Sequence, residues 1–448
     1  MKNATPIFFI VNDPLRAVGL EKKYPNLHIV CIDYNEIVDW LVNDGVKVFC
    51  LEKELGTQNE MFRNTRDLLT RDEVVDYILT NSNDVVGLVF FKPMIGIEDA
   101  LSRTVLSSKR QVKLLHPDSK LASKLENKIF FHELLEKHRI KHPRSFIKSL
   151  SSVSHDEVIG KFPNGYVIQF ARGWFGNATY FITAKDELVS LQKDNRDRIV
   201  KISEYVPSTV LTNNIVVAKS QTYQTYPFLQ ITDQSGELSR YRGSTVGNHW
   251  VGADAMPFNN PLAVVEEVRN LTEMLGEVLR SQGYSGFAGL DFLVSEEDEV
   301  FVQEINPRFT ASAEMITQME MARFGNSLQS LHFGLFGFNV SQKDPNPATF
   351  FEALSGVRVV ARNTGTEELV IGTKFDNGVY SLSSESFDHV RAGYDVASLA
   401  DKEAIIYTAS KNRRVNTDQE IIQLQSLTLT KDEALQQVKK IKKELTHS

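Results

Sequence analysis

Residues 289–309 read GLDFLVSEEDEVFVQEINPRF, and this stretch is the most informative in the chain because it combines two apolar strands with polar residues at fixed positions. The acidic turn between the apolar runs predicts a β-hairpin with a four-residue loop. If Ser295 pairs with Val300, Asp291 lies directly across from Glu304, whereas a slip of one residue would separate them. The stretch therefore predicts two carboxylates that face each other on neighbouring strands.

Three oxygen donors converge on this hairpin. Side chains alternate along a strand, so Asn306 shares a face with Glu304, next to Asp291. Two carboxylates and an amide oxygen suit Mg²⁺, with Mn²⁺ as a substitute, because these ions also accept water and phosphate oxygens. The alternative is a hairpin whose polar residues merely face water, but an unpaired carboxylate among these apolar flanks would cost several kcal/mol.

Arg308 falls on the same face, two residues beyond Asn306. A guanidinium beside a metal–phosphate site can stabilise a transferring phosphoryl group or hold a carboxylate through two hydrogen bonds. Arg308 and Asn306 are therefore the predicted catalytic residues.

The chain before residue 116 alternates short apolar runs with polar helical segments. This alternation predicts a mostly parallel sheet with helices on its faces. The predicted strands are residues 7–11, 27–32, 46–51, 85–91 and 111–116. No GxGxxG motif follows the first run, so the dinucleotide fingerprint is absent.

Three features lie between this region and the hairpin. A single helix is predicted from Ser119 to Lys141, ended by the following His-Pro pair, with Lys128 in its middle. Residues 166–182 predict two strands joined by a loop with two glycines, which lets backbone N–H groups approach a phosphate. The triplet Glu204-Tyr205-Val206 ends an apolar strand and can offer backbone groups to an adenine ring. Taken singly, each feature has a simpler alternative. Lys128 can be a solvated lysine, the glycine loop an ordinary turn, and the triplet at 204–206 a plain strand end.

The 448-residue length predicts two to four packed units. We divide the chain into an N-terminal α/β domain (1–115), a central region (116–340) and a C-terminal β-rich subdomain (341–448) that closes with an amphipathic helix.

Composition excludes some partners. The net charge of −7 carries no basic block before the extreme C-terminus, which argues against nucleic acid. No apolar run reaches the roughly 18 residues of a membrane helix, and the opening apolar run is expected to be a strand and not a signal peptide. Cys31 and Cys50 each lie in a strand-like run and are expected to be buried, reduced thiols of a cytoplasmic protein.

Taken in order, these segments resemble the ATP-grasp superfamily over about residues 1–340. That superfamily has a helix with an early lysine that contacts ATP, a strand–glycine loop–strand that closes over the triphosphate, and an acidic hinge strand beside adenine. It ends on an Asp strand and a Glu-x-Asn-x-Arg strand for Mg²⁺, here LDFLV and QEINPRF. The resemblance implies an α/β and α+β chain, in which an N-terminal parallel-sheet pre-ATP-grasp domain precedes an ATP-grasp fold with a C-terminal β-rich subdomain.

The resemblance also implies roles for individual residues. The metal ligands would be Asp291, Glu304 and Asn306. The residues that bind ATP would be Lys128, Gln169, Arg172, Gly173, Gly176, Asn177, Glu204, Tyr205 and Val206.

The chain departs from the family pattern in two places. Gln169 stands where a lysine usually binds the α- and β-phosphates, so the charge is lost, and Arg172 is expected to compensate. No carboxylate follows the hinge for the ribose, a role that falls to Glu204 or Asn213.

The implied activity is that of a carboxylate–amine ligase, which forms an amide or peptide bond through an acyl phosphate and releases ADP and phosphate. The expected substrates are small molecules, amino acids or a peptide-like metabolite, and the expected assembly is a homodimer. Arg240, Arg242 and His249, in or beside a second lid segment, are the weaker substrate contacts. The alternatives are a bicarbonate-activating carboxylase, a purine-type synthetase, and a nucleotide-binding regulator without turnover.

Overall fold

The computed structural model describes residues 5–58, 64–97, 110–173, 176–241, 243–338, 345–372, 375–382 and 387–446. Over these ranges, every helix is too short or too polar to span a bilayer.

Five parallel strands form the N-terminal sheet, in the order β3-β2-β1-β4-β5, as the apolar runs predict. The strands are β1 Ile7–Val11, β2 Leu27–Cys31, β3 Lys47–Cys50, β4 Val85–Phe90 and β5 Gln111–Leu114. The helices are α1 Glu36–Asn43, α2 Leu51–Leu55, α3 Thr65–Leu68 and α4 Asp72–Thr80. Every residue of β1 is buried, as expected for a parallel strand that is covered on both faces.

The predicted helix over 119–141 is wrong as a single element, because the chain forms two helices, α5 Ser119–Leu125 and α6 Lys128–His138. Asn127 separates them, and its side-chain oxygen accepts hydrogen bonds from the backbone N–H groups of Ile129 and Phe130 at 3.0 and 3.3 Å. This cap satisfies N–H groups that a new helix leaves without partners. Lys128 is therefore the first residue of a helix and does not lie in its middle.

A small antiparallel sheet of four strands follows, in the order β6-β9-β7-β8. Its strands are β6 Ser145–Ser149, β7 Tyr166–Phe170, β8 Thr179–Ile182 and β9 Ile199–Glu204, with helices α7 His155–Lys161 and α8 Lys185–Asn195. The predicted glycine-loop hairpin is confirmed, since β7 pairs with β8 from Tyr166–Ile182 to Gln169–Thr179.

The largest sheet begins in the central region. Its first strands are β10 Ser208–Val217, β11 Thr222–Gln224, β12 Phe228–Asp233, β13 Ser244–Trp250, β14 Gly286–Ser295 and β15 Val300–Asn306. The accompanying helices are α9 Pro261–Ser281, α10 Ala313–Phe324 and α11 Leu328–Leu335.

The C-terminal strands extend this same sheet, in the order β15-β14-β10-β12-β13-β16-β22-β20-β18-β19. The strands that do so are β16 Gly356–Arg362, β18 Gly378–Leu382, β19 Phe387–Arg391, β20 Glu403–Thr408 and β22 Glu420–Ser426. β17 Leu369–Val370 and β21 Arg414–Val415 pair with each other in a separate two-stranded sheet, and helix α12 Lys431–Thr446 follows β22. Short 3₁₀ helices occur at Pro14–Ala17, Leu150–Ser152, Ala253–Ala255, Pro347–Phe350 and Val396–Ser398. One sheet thus spans residue 340, and the three-unit division of the chain stays a prediction.

The acidic hairpin forms with a different register at its turn. Val294, not Ser295, pairs with Val300, and a bulge that inserts Gln303 restores the Asp291–Glu304 pair. A bulge places two residues of one strand opposite one residue of its partner. The predicted pairing of the two carboxylates is therefore confirmed, although the turn pairing that led to it is wrong by one residue.

Candidate active site

A cavity of about 530 Å³ is lined by residues from the small sheet, from the large sheet and from the start of α6. Most of the residues that the sequence indicated line it. They are Lys128, Gln169, Gly173, Gly176, Glu204, Tyr205, Val206, Asp291, Glu304, Asn306 and Arg308.

Asp291 is held at the floor of the cavity by three hydrogen bonds. Its Oδ1 accepts from the Thr212 hydroxyl at 2.8 Å and from the Gln230 amide at 2.6 Å. Its Oδ2 accepts from the Asn306 amide at 3.0 Å. Neither Thr212 nor Gln230 was singled out in the sequence, because both lie on strands far from the hairpin in the chain.

Arg308 is fixed beside this group. Its Nη2 donates to Asn306 Oδ1 at 3.0 Å, and its Nη1 donates to the backbone oxygen of Phe309 at 3.1 Å. Burial lowers the pKa of Arg308, although nearby carboxylates oppose the shift. Asn306 therefore links Asp291 to Arg308 with both ends of its amide, which orients all three side chains.

Glu304 forms an ion pair with Lys128, whose position at the start of α6 directs its ammonium to the hairpin. Burial acts to raise the pKa of Glu304, but the charge and hydrogen bond of Lys128 outweigh it and lower the pKa. For Asp291, burial and then the Glu304 charge raise the pKa to about 7. Two carboxylates that disfavour each other's charge, with an amide beside them, are a fitting donor set for a hard divalent cation.

Lys201, which the sequence analysis did not identify, lies next to this acidic group. It is on β9, directly across from Gln169 on β7. Burial, followed by the charge of Lys128, lowers its pKa to about 8, while Glu304 raises it. The sequence pattern that could have identified Lys201 is a lysine in the middle of the apolar run IVKIS. An otherwise buried strand gives such a lysine no exposed position, so its ammonium must face other polar groups.

The hydrogen bonding of Gln169 is evidence that a polar ligand binds beside it. Its Nε2 donates to Thr179 at 3.3 Å, and its buried Oε1 has no hydrogen-bond partner among the described residues. An orphaned buried acceptor is costly, so a donor is expected beside it when the site is filled.

Some predicted residues lie elsewhere. Arg172 donates to the backbone oxygen and hydroxyl of Ser123 and lines a neighbouring cavity, so it does not replace the missing lysine. Asn177 is exposed on the glycine loop. Asn213 is fully buried against Gln224 and Thr272, which rules it out as the ribose contact.

The hinge acid does not supply a free carboxylate either. Glu204 Oε1 accepts from the backbone N–H of Arg144 at 2.8 Å, and Oε2 accepts from the Arg144 guanidinium at 2.7 Å. Backbone groups at Tyr205 and Val206, which line the cavity, remain the predicted adenine contacts.

Two of the three weaker predicted substrate contacts, Arg240 and His249, do not line the cavity. Arg240 is exposed against the ring of Tyr241, and His249 lies near Lys431 and Asp432 of α12. Arg242 lies outside the described residues.

Two other arginines form the far wall of the cavity, and both come from β16. Arg358 donates to Glu314 at 3.1 Å and to Gln423 at 2.6 Å. Arg362 donates to the backbone oxygen of Thr245 at 3.1 Å and to Glu420 at 3.3 Å. They are four residues apart on one strand, so both face the same side.

Glu420 joins these arginines to Arg16 of the N-terminal region. Burial acts to raise its pKa, but the charges of Arg16, Arg358 and Arg362 lower it to about 2. Three guanidinium groups thus lie against the carboxylates of Glu314 and Glu420, and the carboxyl group of Asp13 also lies near Arg16.

Comparison with known proteins identifies the fold. Residues 125–312 match the family model of the ATP-grasp domain, and these residues include the whole acidic hairpin. No curated protein matches the chain in sequence. The chain thus carries an ATP-grasp domain, and the resemblance noted in its motifs is confirmed.

Solved structures agree with this assignment. The chain is similar to N5-carboxyaminoimidazole synthase of Aspergillus clavatus in complex with ADP and 5-aminoimidazole ribonucleotide, at 12% identity and a TM-score of 0.59, covering 99% of this chain and 100% of that one. It is also similar to the biotin carboxylase domain dimer of Hydrogenobacter thermophilus 2-oxoglutarate carboxylase with MgADP, ADP and bicarbonate (12%, 0.60, 95% and 86%). A third match is Campylobacter jejuni biotin carboxylase in a β-γ-ATP complex (10%, 0.61, 97% and 89%). At these identities the likeness establishes the fold.

Proposed function

We propose that this protein is an ATP-dependent ligase that activates a carboxylate as an acyl phosphate, joins it to an amine, and releases ADP and phosphate. The observation that carries the proposal is one cavity with cationic side chains in two places, Lys128 and Arg308 beside the acidic hairpin and Arg358 and Arg362 opposite, with the buried Lys201 next to the hairpin group. Binding a nucleotide alone does not require the second cationic wall, whereas a ligase needs a place for another anionic substrate.

The hairpin end is suited to the triphosphate. Asp291 and Glu304 would hold Mg²⁺, which neutralises phosphate charge when bound, with Asn306 keeping Asp291 in place. Lys128 would contact the phosphates, and Lys201 would supply the charge that Gln169 lacks.

The glycine loop would close over the phosphates. Gly173 is packed so tightly that a Cβ there would lie 2.1 Å from the Cβ of Ala178, so a larger residue would force the loop open. Its position at the cavity would let it exclude water from a reactive intermediate.

Arg308 would bind the carboxylate that is activated. In the reaction, a carboxylate oxygen attacks the γ-phosphorus and the bond to ADP breaks. The amine nitrogen then attacks the acyl carbon, phosphate leaves with the bonding electron pair, and the amine gives up a proton. Such chemistry depends on positioning and charge neutralisation, which a half-buried guanidinium held by two hydrogen bonds provides.

The far wall supports an amino acid or a peptide-like molecule as substrate. Its arginines would pair with a carboxylate, while Gln230, Thr245 and Asn248, which line the same cavity, offer neutral hydrogen bonds. A cytoplasmic location and a homodimer stay predictions. Cys31 and Cys50 are both free and buried.

A second candidate is activation of bicarbonate, which is favoured by the neighbours that cover nearly the whole chain and include a complex with bicarbonate. Two observations would distinguish this reaction from amide formation. Turnover would depend on bicarbonate, and ¹⁴C from labelled bicarbonate would enter the product.

A Glu304→Gln substitution tests the proposal, because it removes a metal-binding charge and the partner of Lys128 while keeping the side-chain shape. We expect ATP turnover to fall by at least about 100-fold, in line with the loss of one preorganised electrostatic contact. Glu299→Gln, in the exposed turn of the same hairpin, is the matched control. A near-normal rate in Glu304→Gln would refute the assignment of this site.

A further inference from the structure

A second cluster of metal-binding side chains lies outside the cavity. His132 and Glu136 are four residues apart on α6, and His142 lies in the segment between α6 and β6. One ligand atom from each lies within 4.8 Å of the other two. The two imidazole rings are 5.0 Å apart and nearly perpendicular.

Hydrogen bonds fix the proton positions on both rings. The backbone oxygen of Pro143 is 2.8 Å from His142 Nδ1, and a carbonyl only accepts, so this nitrogen carries the proton. The Ser145 hydroxyl also donates to Pro143, at 2.9 Å. Its oxygen is then left to accept from His132 Nδ1 at 3.3 Å. When the rings are neutral, both Nε2 atoms therefore carry lone pairs.

This arrangement is typical of metal-binding histidines, whose second nitrogen donates to a carbonyl or another oxygen and so orients the ring. His142 Nε2 lies 3.3 Å from Glu136 Oε1. This separation is close to the distance between two ligand atoms of a tetrahedral zinc ion whose bonds are about 2.0–2.1 Å long.

The simpler interpretation is an ion pair between a protonated His142 and Glu136. Glu136 is exposed, with 58% of its side chain accessible, and such a pair stabilises by less than about 1 kcal/mol. It also gives no reason for the oriented, deprotonated Nε2 of His132. Exposure of Glu136 instead gives an ion an entry path and leaves a fourth position for water.

We propose that His132, Glu136 and His142 form a binding site for Zn²⁺ or a similar transition-metal ion, separate from the Mg²⁺–ATP site. An ion there would tie α6, which begins with Lys128, to the segment that leads into the small sheet. At the rise of an α-helix, Glu136 is about 12 Å along α6 from Lys128, so the ion would brace the helix without reaching the phosphates.

Co²⁺ is the probe, because nitrogen and oxygen ligands in a four-coordinate site give it strong visible absorption, unlike the octahedral oxygen sites that suit Mg²⁺. The full-length protein, without a histidine tag, is dialysed against a chelator and titrated with Co²⁺ in excess Mg²⁺. We expect one equivalent to bind with the four-coordinate spectrum and to be displaced by Zn²⁺.

Two variants identify the ligands. His142→Ala and Glu136→Gln should each weaken Co²⁺ binding at least about tenfold, and Glu133→Gln, on an exposed position of the same helix, should not. Glu136 is exposed, so its variant should fold, and circular dichroism checks this for both. Absence of the four-coordinate spectrum, or equal binding by wild type and both ligand variants, would overturn the proposal. Neither outcome depends on ligase activity.

Discussion

In the proposed site, Lys201 supplies the positive charge that Gln169 lacks. A Lys201→Met substitution keeps the length of the side chain and removes its charge. We expect the affinity for MgATP to fall by about 10- to 100-fold, corresponding to roughly 1.4–2.7 kcal/mol, the range of a charged hydrogen bond. Lys148→Met, on the neighbouring strand β6 and paired with exposed Glu157, is the matched control.

The pH dependence gives a second test of Lys201. Its pKa is lowered to about 8 by burial, so the ammonium loses its charge as the pH rises through that value. Affinity for MgATP in the wild type should therefore decrease from pH 7 to pH 9, and the Lys201→Met profile should be flat. Titration calorimetry measures both, and parallel profiles would assign the pH effect to another group.

Glu320 provides a prediction for stability. It is 1% exposed, its Oε2 accepts from the backbone N–H of Leu328, and burial raises its pKa to about 8. Because the folded pKa lies above the unfolded one, the wild type loses stability as the pH rises from about 4.5 to about 8.

Glu320→Gln removes this loss. The variant should become progressively more stable than the wild type over that pH range, by on the order of 2–4 kcal/mol at pH 8. Urea unfolding at pH 5 and pH 8 measures the difference, with exposed Glu277→Gln as the control. An equal difference in the free energy of unfolding at both pH values would contradict the buried-acid interpretation.

The positions of residues were predictable where their contacts are local. Asp291, Glu304 and Asn306 lie within one hairpin, so alternation and strand pairing bring them close together, and the bulge at Gln303 sets Asp291 opposite Glu304. Arg358 and Arg362 could not be placed in the same way, because their approach to the cavity depends on β16 pairing with β13. The available signal was two arginines four residues apart in the apolar run GVRVVAR, where a buried charge requires a partner.

At the scale of elements, the break between α5 and α6 is the feature that aims Lys128. Asn127→Ala removes the cap and should destabilise the protein by about 1 kcal/mol. It should also raise the KM for ATP several-fold, because the first turn of α6 then no longer holds Lys128 beside Glu304. Steady-state kinetics and urea unfolding measure the two effects.

The control for this variant is Asn260→Ala, which removes the cap of α9. In the wild type, the side-chain oxygen of Asn260 accepts a hydrogen bond from the backbone N–H of Ala263 at 3.3 Å. It should lower stability by a similar amount and leave the KM for ATP unchanged. If both variants raised KM equally, general loss of stability would account for the effect.

Most strands were predictable because their apolar runs and alternation are encoded locally, as β1 and β14 illustrate. The helix break at Asn127 and the bulge at Gln303 were not predictable from the local sequence. The break depends on a competition between a continuous helix and the side chain of Asn127. The bulge depends on how β15 fits its partner, which one strand alone does not specify.

At the scale of the whole molecule, the C-terminal strands complete the cavity. The motif resemblance extends to about residue 340, yet β16 adds Arg358 and Arg362 to the site and Glu420 links them to Arg16. Residues from the beginning, middle and end of the chain thus form one charged wall. We expect substrate choice to depend on this wall, since the hairpin end is suited to ATP.

The products formed from ATP distinguish an acyl phosphate, the proposed intermediate, from an adenylate. The full-length protein is incubated with MgATP, pairs of amino acids and hydroxylamine, with Glu304→Gln as the inactive control. We expect ADP and phosphate in equal amounts, formed only with a carboxylate substrate, together with the hydroxamate of that substrate. AMP and pyrophosphate would indicate an adenylate and would contradict the proposed mechanism.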